Sequence, residues 1–214
     1  ASELAAACYQ NAGLYLKLPF SPTAPAFPLQ EEIPLVCRSP RHTRAEVRRM
    51  LKLGDSQRVV LIAFSGLELS DSARARLESI PDTVFLIPSP MHLEISNGIS
   101  VPAGEPDFPS LCSAADVLVT KPGYGIVTDA ITCDTPIVYT ERGDFPEVPW
   151  LESLIQHALG GASLGMTQFE EGDWEDAMQA AVDALSGKRQ EGHIRMRTDG
   201  TTVAAQRFLG FCED

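Results

Sequence analysis

The stretch DVLVTKPGYGIVTDAITCDTPIVYT (Asp116–Thr140) decides the fold of this chain. It opens with a short, β-branched apolar run, VLVT, and closes with another, PIVYT. Between them, a glycine-bearing turn over Lys121–Gly125 leads into a run of helical length, Ile126–Cys133. Nearly continuous apolar runs are typical of strands that are buried on both faces of a parallel sheet. The stretch therefore predicts a β-α-β unit.

The same alternation continues outward from this unit in both directions. Strands are predicted at Val59–Phe64, Thr83–Ile87, Asp116–Thr120 and Pro136–Thr140, with weaker candidates at Gly98–Val101 and Ala162–Gly165. Helices are predicted at Ser72–Ser79, Phe108–Ala115, Ile126–Cys133, Pro149–Ala158 and Trp174–Leu185. Strands that alternate with helices across short loops predict an α/β fold with a doubly wound, mostly parallel, Rossmann-like sheet.

The first 58 residues have a different character. Leu14–Leu18 is a possible strand, whereas Pro19–Pro40 contains six prolines and predicts an extended connector. Residues 43–46 (TRAE) fit a capping box, so we expect a helix from Arg44 to about Leu53. The chain is therefore divided into 1–58, a connector and remnant of a preceding domain, and 59–214, a Rossmann-like domain that ends in a helix over Thr202–Cys212.

The charge of the chain excludes some classes of function. It carries 17 basic and 29 acidic side chains, a net charge of −12, which argues against a nucleic-acid-coating protein and against docking on anionic lipid. Residues 1–58 nevertheless carry 8 basic against 5 acidic side chains. We interpret this basic run as a solvated helix face, with a phosphate or partner surface as the alternative; its members are Arg38, Arg41, Arg44, Arg48, Arg49, Lys52 and Arg58.

Other residue types indicate no metal centre, disulfide framework or membrane segment. The five cysteines form no close pair, and the four histidines lack the spacing typical of metal ligands. No apolar run approaches the roughly 20 residues that span a bilayer, and the first residues do not resemble a secretion signal. We therefore expect a cytoplasmic protein without cofactor, metal or membrane insertion. His92, in the loop after the second strand, is the histidine nearest the expected site.

Two loops are candidate ligand sites, because ligands of open α/β sheets bind beyond the carboxyl ends of the strands. Ser65 and Gly66 follow the first strong strand, and a simple turn is an equal alternative there. Lys121 precedes a helix whose first free N–H groups, together with the helix dipole, favour phosphate oxygens. Thr128 and Asp129 lie near the start of that helix and are candidates to reach a ribose. A plain glycine turn remains the alternative, because the loop matches neither a P-loop nor GxGxxG.

At this second loop, TKPGYGIVTDAITCDTPIVYTERGDFPE (Thr120–Glu147) resembles the donor-binding, C-terminal half of GT-B glycosyltransferases, in the style of family 28. It is similar, even more closely, to the glycosyltransferase-like N-terminal region of L-arabinokinases and their bacterial relatives. Those proteins carry a K-x-G-Y-G-T-x-x-E-A pattern and, later, a motif near F-x-E-x-P-x-L. The matching positions here are Lys121, Gly123, Tyr124, Gly125, Asp129 and Ala130, then Phe145, Glu147, Pro149 and Leu151.

The resemblance also implies which residues bind a donor. Besides the pattern around Lys121, Glu147 and Asp144 match positions that read sugar hydroxyls, and a solvated loop acid is the alternative. Pro88, Ser89 and Phe108 match loops that hold the base, and Arg142 is placed to pair with a phosphate or with a nearby acid. Two positions depart from the pattern. The family's threonine is Ile126 here, and its ribose-binding glutamate is Asp129, which is one methylene shorter.

The resemblance implies binding of a nucleotide sugar, a UDP-sugar, for inverting and metal-independent glycosyl transfer of the hexosyltransferase type. GT-B enzymes have two Rossmann-like domains, and the acceptor site and catalytic base belong to the N-terminal one. We therefore expect no sugar transfer by this chain alone. The expected partners are an N-terminal domain or a second copy. We expect the last helix either to fold its apolar side chains back onto its own domain or to cover them by dimerising. The alternative is a non-catalytic nucleotide-binding or protein-interaction domain, and a nucleotide-sugar epimerase would need a second domain.

Overall fold

The computed structural model describes residues 2–64, 66–140, 143, 145–191 and 195–211. The helices are α1 (Ser2–Tyr9), α2 (Arg44–Met50), α3 (Asp71–Glu78), α4 (Phe108–Ala114), α5 (Tyr124–Cys133), α6 (Val148–Ala158), α7 (Met166–Glu170), α8 (Glu175–Gln190) and α9 (Gly200–Phe211). The strands are β1 (Tyr15–Lys17), β2 (Gln30–Glu32), β3 (Arg58–Ala63), β4 (Thr83–Pro88), β5 (Gly98–Val101), β6 (Val117–Thr120), β7 (Ile137–Thr140) and β8 (Ala162–Leu164).

The main sheet confirms the predicted fold class. In the described part of the chain it consists of six parallel strands in the order β5-β4-β3-β6-β7-β8. At its centre, Val60 of β3 pairs with Phe85 of β4 on one side and with Val117 of β6 on the other. All the strands predicted between residues 59 and 165 are present, and no bound differs from its prediction by more than one residue.

The order of the strands fixes where a ligand can bind. The chain runs outward from β3 through β4 to β5, then returns to the other side of β3 and continues through β6, β7 and β8. The direction of winding therefore reverses between β3 and β6. At such a reversal the two loops that leave the strand ends diverge, and the crevice between them is the usual ligand site of open α/β sheets.

Both faces of the main sheet are covered by helices. Val59 and Leu61 of β3 pack into one apolar cluster with residues of α2, α4, α5 and α6. Val60 and Ile62 point to the opposite face and pack with α3, α7 and α8. All four β3 side chains are fully buried. Because each buried aliphatic side chain of this size contributes roughly 1.5–3 kcal/mol, this two-sided burial explains the continuous apolar runs in the sequence.

The predicted capping box is present at the start of α2, and ion pairs connect this helix to the main sheet. The Thr43 side chain accepts from the Glu46 backbone N–H, and Glu46 Oε2 accepts from the Thr43 backbone N–H at 2.8 Å. On the same helix, Arg44 and Arg48 both form ion pairs with Asp116. These two arginines therefore hold α2 against the start of β6, instead of forming only the solvated face that the charge pattern indicated.

The segment before α2 contains β1, which lies within the possible strand at Leu14–Leu18, and further structure that the sequence did not predict. In the described residues, β1 and β2 form a separate parallel pair, in which Leu16 is aligned with Glu31. The sequence of β2, Gln-Glu-Glu, has no strand-like composition, which is why it was assigned to the connector. Further along, Ile33 and Leu35 are buried, and Leu35 belongs to a core cluster of the α/β unit, so this part of the connector packs on that unit.

The last helix, α9, begins where the connector passes beneath it. Gly200 donates its N–H to the carbonyl of Leu35 at 3.0 Å, and a Cβ at this position would collide with the carbonyl oxygen of Pro34. At the other end of α9, Phe208 and Leu209 are 63% and 65% exposed. What covers them stays a prediction. None of the helices in the described part of the chain is long and apolar enough to cross a membrane.

Candidate functional site

A cavity of about 670 Å³ opens at the carboxyl ends of β3, β4 and β6. Its volume lies in the range of roughly 300–1,000 Å³ that is usual for small-molecule sites. Most of its wall is apolar, and its polar or charged side chains converge from different loops. Its lining includes Phe64, Gly66, Ser89, Phe108, Lys121 and Ile126. The cavity therefore occupies the crevice that the reversal of strand order predicts.

Lys121 supplies positive charge at this cavity. It follows β6 directly, and its ammonium lies 4.1 Å from the centroid of the Phe64 ring. Phe64 follows β3 and is stacked on Phe169 of α7, with ring centroids 4.5 Å apart. A cation above an aromatic face is attracted by the ring quadrupole. The ring thus favours one position of the Lys121 side chain at the cavity wall.

The start of α5 supplies hydrogen-bond donors beside Lys121. The helix begins after Gly123, which has extended backbone angles and makes no side-chain cap. Val127 is the first residue whose N–H bonds back within this turn, to the Gly123 carbonyl at 2.9 Å. The N–H groups of Tyr124, Gly125 and Ile126 precede it and have no intrahelical acceptor. Gly123 and Ile126 both line the cavity, so the first turn of α5 lies beside it.

Several residues of the predicted site line the same cavity, although they come from separate loops. Gly66 contributes from the loop after β3, with a positive φ of 76° that favours glycine. Pro88 and Ser89 contribute from the end of β4. His92 lines the cavity as well. Ser65 was also predicted here, and it lies outside the described residues.

The other predicted residues of α5 are not part of the cavity wall. The Thr128 hydroxyl donates to the Gly125 carbonyl at 3.1 Å, within its own helix. Tyr124 packs against the core cluster on the α5 side of the sheet, and burial raises the pKa of its phenol to about 12. Gly125 is exposed, with open space where a Cβ would lie.

Asp129 is fully buried, and Arg38 of the connector binds it. The guanidinium uses Nε to donate to Asp129 Oδ1 at 3.2 Å and Nη2 to donate to Oδ2. Burial raises the pKa of the Asp129 carboxyl, and the hydrogen bonds from Arg38 oppose that rise. The sequence predicts Asp129 as a ribose ligand and Arg38 only as part of a basic run. A pairing across 91 residues leaves no local signal in the sequence.

The remaining predicted residues belong to the loop between β7 and α6. Glu147 is exposed at the start of α6, where its backbone carbonyl accepts from the Leu151 N–H at 3.0 Å. It does not line the cavity described above. Arg142 and Asp144, the other candidates of this loop, lie outside the described residues. Within the described residues, no group of three or more His, Cys, Asp or Glu side chains could hold a metal ion.

Some residues of the cavity wall have no clear signal in the sequence. Phe64 and Leu67, the ends of the candidate loop that contains Ser65 and Gly66, line it, and so does Met91, for which the sequence pattern predicts no role. Position gives a partial signal, since Phe64 ends an apolar run directly before a glycine loop. Apolar residues at such positions are equally common in cores, so the pattern alone could not assign them to a ligand site.

Comparison with solved structures identifies the fold. The chain superposes on WaaG, a glycosyltransferase involved in lipopolysaccharide biosynthesis, with a TM-score of 0.55 at 15% identity, covering 82% of this chain and 55% of that one. For CalG4, the calicheamicin glycosyltransferase, the TM-score is 0.55 at 16% identity, covering 92% and 52%. For SnogD from Streptomyces nogalater the values are 0.50, 15%, 91% and 56%. The fold is therefore that of one Rossmann-like half of a GT-B glycosyltransferase.

Comparison of sequences finds a similar protein that is not one of these solved glycosyltransferases. The chain is 25% identical to L-arabinokinase of Arabidopsis thaliana over 210 residues, which are 94% of this chain and 20% of that protein. No protein-family model matches the chain. The chain thus spans about a fifth of its curated relative and about half of the solved glycosyltransferases.

Proposed function

We propose that this chain is the donor-binding part of a glycosyltransferase and binds the nucleotide portion of a nucleotide sugar. The observation that carries the proposal is the convergence of the α5 N-terminus and Lys121 on one cavity, at the reversal point of the sheet. Such a crevice is where nucleotides bind in open α/β folds. UDP-sugars are the proposed donors, because of the resemblance around residues 120–147.

In this proposal the diphosphate lies against the first turn of α5. The unbonded N–H groups of that turn donate to phosphate oxygens, and the helix dipole adds to the attraction. Lys121 contributes a full positive charge from the adjacent strand end. These groups also stabilise the charge that develops on the diphosphate as it leaves the sugar, which is the electrostatic part of catalysis.

The nucleoside lies along the apolar part of the wall. Phe108 at the start of α4 and the Pro88–Ser89 loop line one side of the cavity, which suits the faces of a base. The ribose would lie toward α5, on the side of Asp129. A carboxylate there accepts two hydrogen bonds from vicinal hydroxyls, once it is accessible. Glu147 and Arg142 are proposed for the sugar end of the donor.

A non-catalytic nucleotide-binding domain is the second candidate. Two observations favour it: Ile126 lines the cavity where the resembling enzymes have a threonine, and Asp129 is occupied by Arg38. On either reading, transfer of the sugar needs an acceptor site that lies elsewhere. The chain spans about half of the solved glycosyltransferases, so we expect an acceptor-binding domain to act together with it.

Calorimetric titration with UDP, UDP-sugars, GDP and NAD tests the proposal. We expect UDP and at least one UDP-sugar to bind, and NAD not to bind. A ligand present at 100 times its Kd also raises the stability of the folded chain by about 2.7 kcal/mol, so a thermal-shift series checks the same result independently. If no nucleotide binds in either assay, the proposal is wrong. Sugar transfer to an acceptor by the isolated chain would contradict the expected need for a second domain.

A further inference from the structure

The pair between Arg38 and Asp129 joins a buried anion to a largely exposed cation. Asp129 is 0% exposed, and both of its carboxylate oxygens accept hydrogen bonds from Arg38. The side chain of Arg38, in contrast, is 62% exposed. Almost all of the cost of separating the two groups would therefore fall on the carboxylate, because the guanidinium already lies largely in water.

The carboxylate lies close behind the proposed nucleotide site. Ile126 lines the cavity, and Asp129 follows it by three residues on α5, so the two positions share one side of that helix. Phe108, on the facing α4, lines the cavity too, and it follows Asp107, whose charge acts on Asp129. Asp129 thus lies about one turn along α5 from the wall of the cavity, on the side of that helix that faces the start of α4.

We propose that Arg38 is a specificity-determining residue of this site, because its guanidinium and the ribose hydroxyls of a nucleotide compete for the same Asp129 carboxylate. The inference rests on the proposed function above. The ribose reaches Asp129 only after Arg38 has turned away into solvent. Arg38 therefore sets how strongly the site distinguishes a ribose from a sugar that lacks the two hydroxyls.

The chemistry of the exchange is balanced. Two vicinal hydroxyls donate two hydrogen bonds, which replace the two that the Nε and Nη2 groups of Arg38 donate. Without either partner the buried carboxylate would be uncompensated, which is strongly unfavourable. Exchange of one pair of donors for another avoids that state. It also explains how a fully buried aspartate can serve a ligand that enters from the cavity.

The connector allows the Arg38 side chain to move without the backbone. On one side, Leu35 is held by hydrogen bonds with Arg197 and Gly200, at 3.1 Å and 3.0 Å. On the other side, the Arg41 N–H donates to Ser110 Oγ at 2.9 Å. Because these anchors flank Arg38, a rotation of its side chain is sufficient to release Asp129, and the fold of the connector is retained.

The experiment compares two ligands and three variants of the full chain by calorimetry. The ligands are UDP and 2′,3′-dideoxy-UDP, which differ only in the ribose hydroxyls. Arg38→Met removes the guanidinium and keeps the apolar stem, and Arg38→Lys keeps a charge that cannot bind both carboxylate oxygens at once. Arg41→Met is the matched control, since Arg41 is a connector arginine that pairs with Glu105 and Asp107.

We expect Arg38→Met to bind UDP about tenfold more tightly or better, because the ribose hydroxyls no longer have to displace charge-assisted hydrogen bonds from a buried carboxylate, and to bind dideoxy-UDP with unchanged affinity. Arg38→Lys should give a smaller gain in UDP affinity. If Arg38→Met does not fold, the affinities of Arg38→Lys decide whether Arg38 competes with the ribose. Arg41→Met should change neither affinity.

Other outcomes overturn the inference and separate it from the proposed function. If the parent chain binds UDP and Arg38→Met changes the two affinities equally, or not at all, Arg38 does not compete with the ribose and the proposed function stands. A selective loss of UDP affinity would mean that Arg38 assists binding, which also contradicts competition. If the parent chain binds no nucleotide, both the inference and the proposed function are wrong.

Discussion

The ammonium of Lys121 lies 4.1 Å from the centroid of the Phe64 ring, so a cation from the end of β6 is held by an aromatic side chain from the end of β3. The two strands are neighbours in the main sheet. The contact therefore bridges the point at which the winding of the sheet reverses, and it fixes a charge beside the N-terminus of α5. This arrangement provides the first two predictions.

Lys121→Ala should weaken UDP binding by about 1–3 kcal/mol, because a charge-assisted hydrogen bond to phosphate is lost. Calorimetric titration measures the change. Lys52→Ala is the matched control. It removes the same charge, but from a residue that lies beside the opposite end of the sheet. Equal affinities for the parent chain and Lys121→Ala would remove Lys121 from the site.

Phe64→Leu should weaken UDP binding about two- to fivefold, because the ammonium of Lys121 loses a cation–π contact of up to about 1 kcal/mol. Phe64→Tyr keeps the ring face and should bind UDP as the parent chain does. The double variant Phe64→Leu/Lys121→Ala should bind no worse than Lys121→Ala. If the two losses add in full, Phe64 acts on the ligand directly and not through Lys121.

Asp116→Ala should lower the free energy of unfolding by about 2 kcal/mol. Its carboxylate accepts from the Val59 N–H at 2.7 Å and pairs with Arg44 and Arg48, so truncation leaves several polar groups without a partner. Urea denaturation measures the change. Asp71→Ala, which breaks the exposed pair with Arg74, should cost less than about 1 kcal/mol. Similar losses for both variants would show that the Asp116 contacts add nothing beyond a surface pair.

Asp129→Asn should change stability in a pH-dependent way. Burial raises the pKa of the Asp129 carboxyl in the folded chain, against the hydrogen bonds from Arg38. The folded chain therefore holds that proton more tightly than the unfolded chain, whose aspartates titrate at about 3.9. The stability that comes from this tighter proton binding is fully present below the unfolded-state pKa. It is lost as the pH rises through the higher pKa of the folded chain.

The variant cannot titrate, so it should gain stability relative to the parent chain as the pH rises through that range. Urea denaturation at a series of pH values measures the difference. Thr132→Ala, on the same helix and without a titratable group, should differ from the parent chain by a constant amount. A difference for Asp129→Asn that stays flat, or falls with rising pH, would contradict a raised pKa.

Much of the site could be predicted because it depends on local sequence. Lys121, Gly123, Gly66 and the Pro88–Ser89 loop follow apolar runs directly, and the carboxyl ends of parallel strands meet at one edge of a sheet. These residues do line one cavity; that they bind a nucleotide sugar stays a prediction. The family-28 character, the cytoplasmic location and the partner of α9 also stay predictions.

The sequence by itself determined the strands of the main sheet, most of the helices that cover it and the edge at which a ligand can bind, because each depends on residues that are near one another in the chain. The tertiary structure alone decided the pairing of side chains. It placed Arg38 on Asp129, which lies 91 residues away, and Arg48 on Asp116, which lies 68 residues away. A charged side chain binds whichever opposite charge the packed backbone brings within reach, and periodicity along the chain carries no information about that choice.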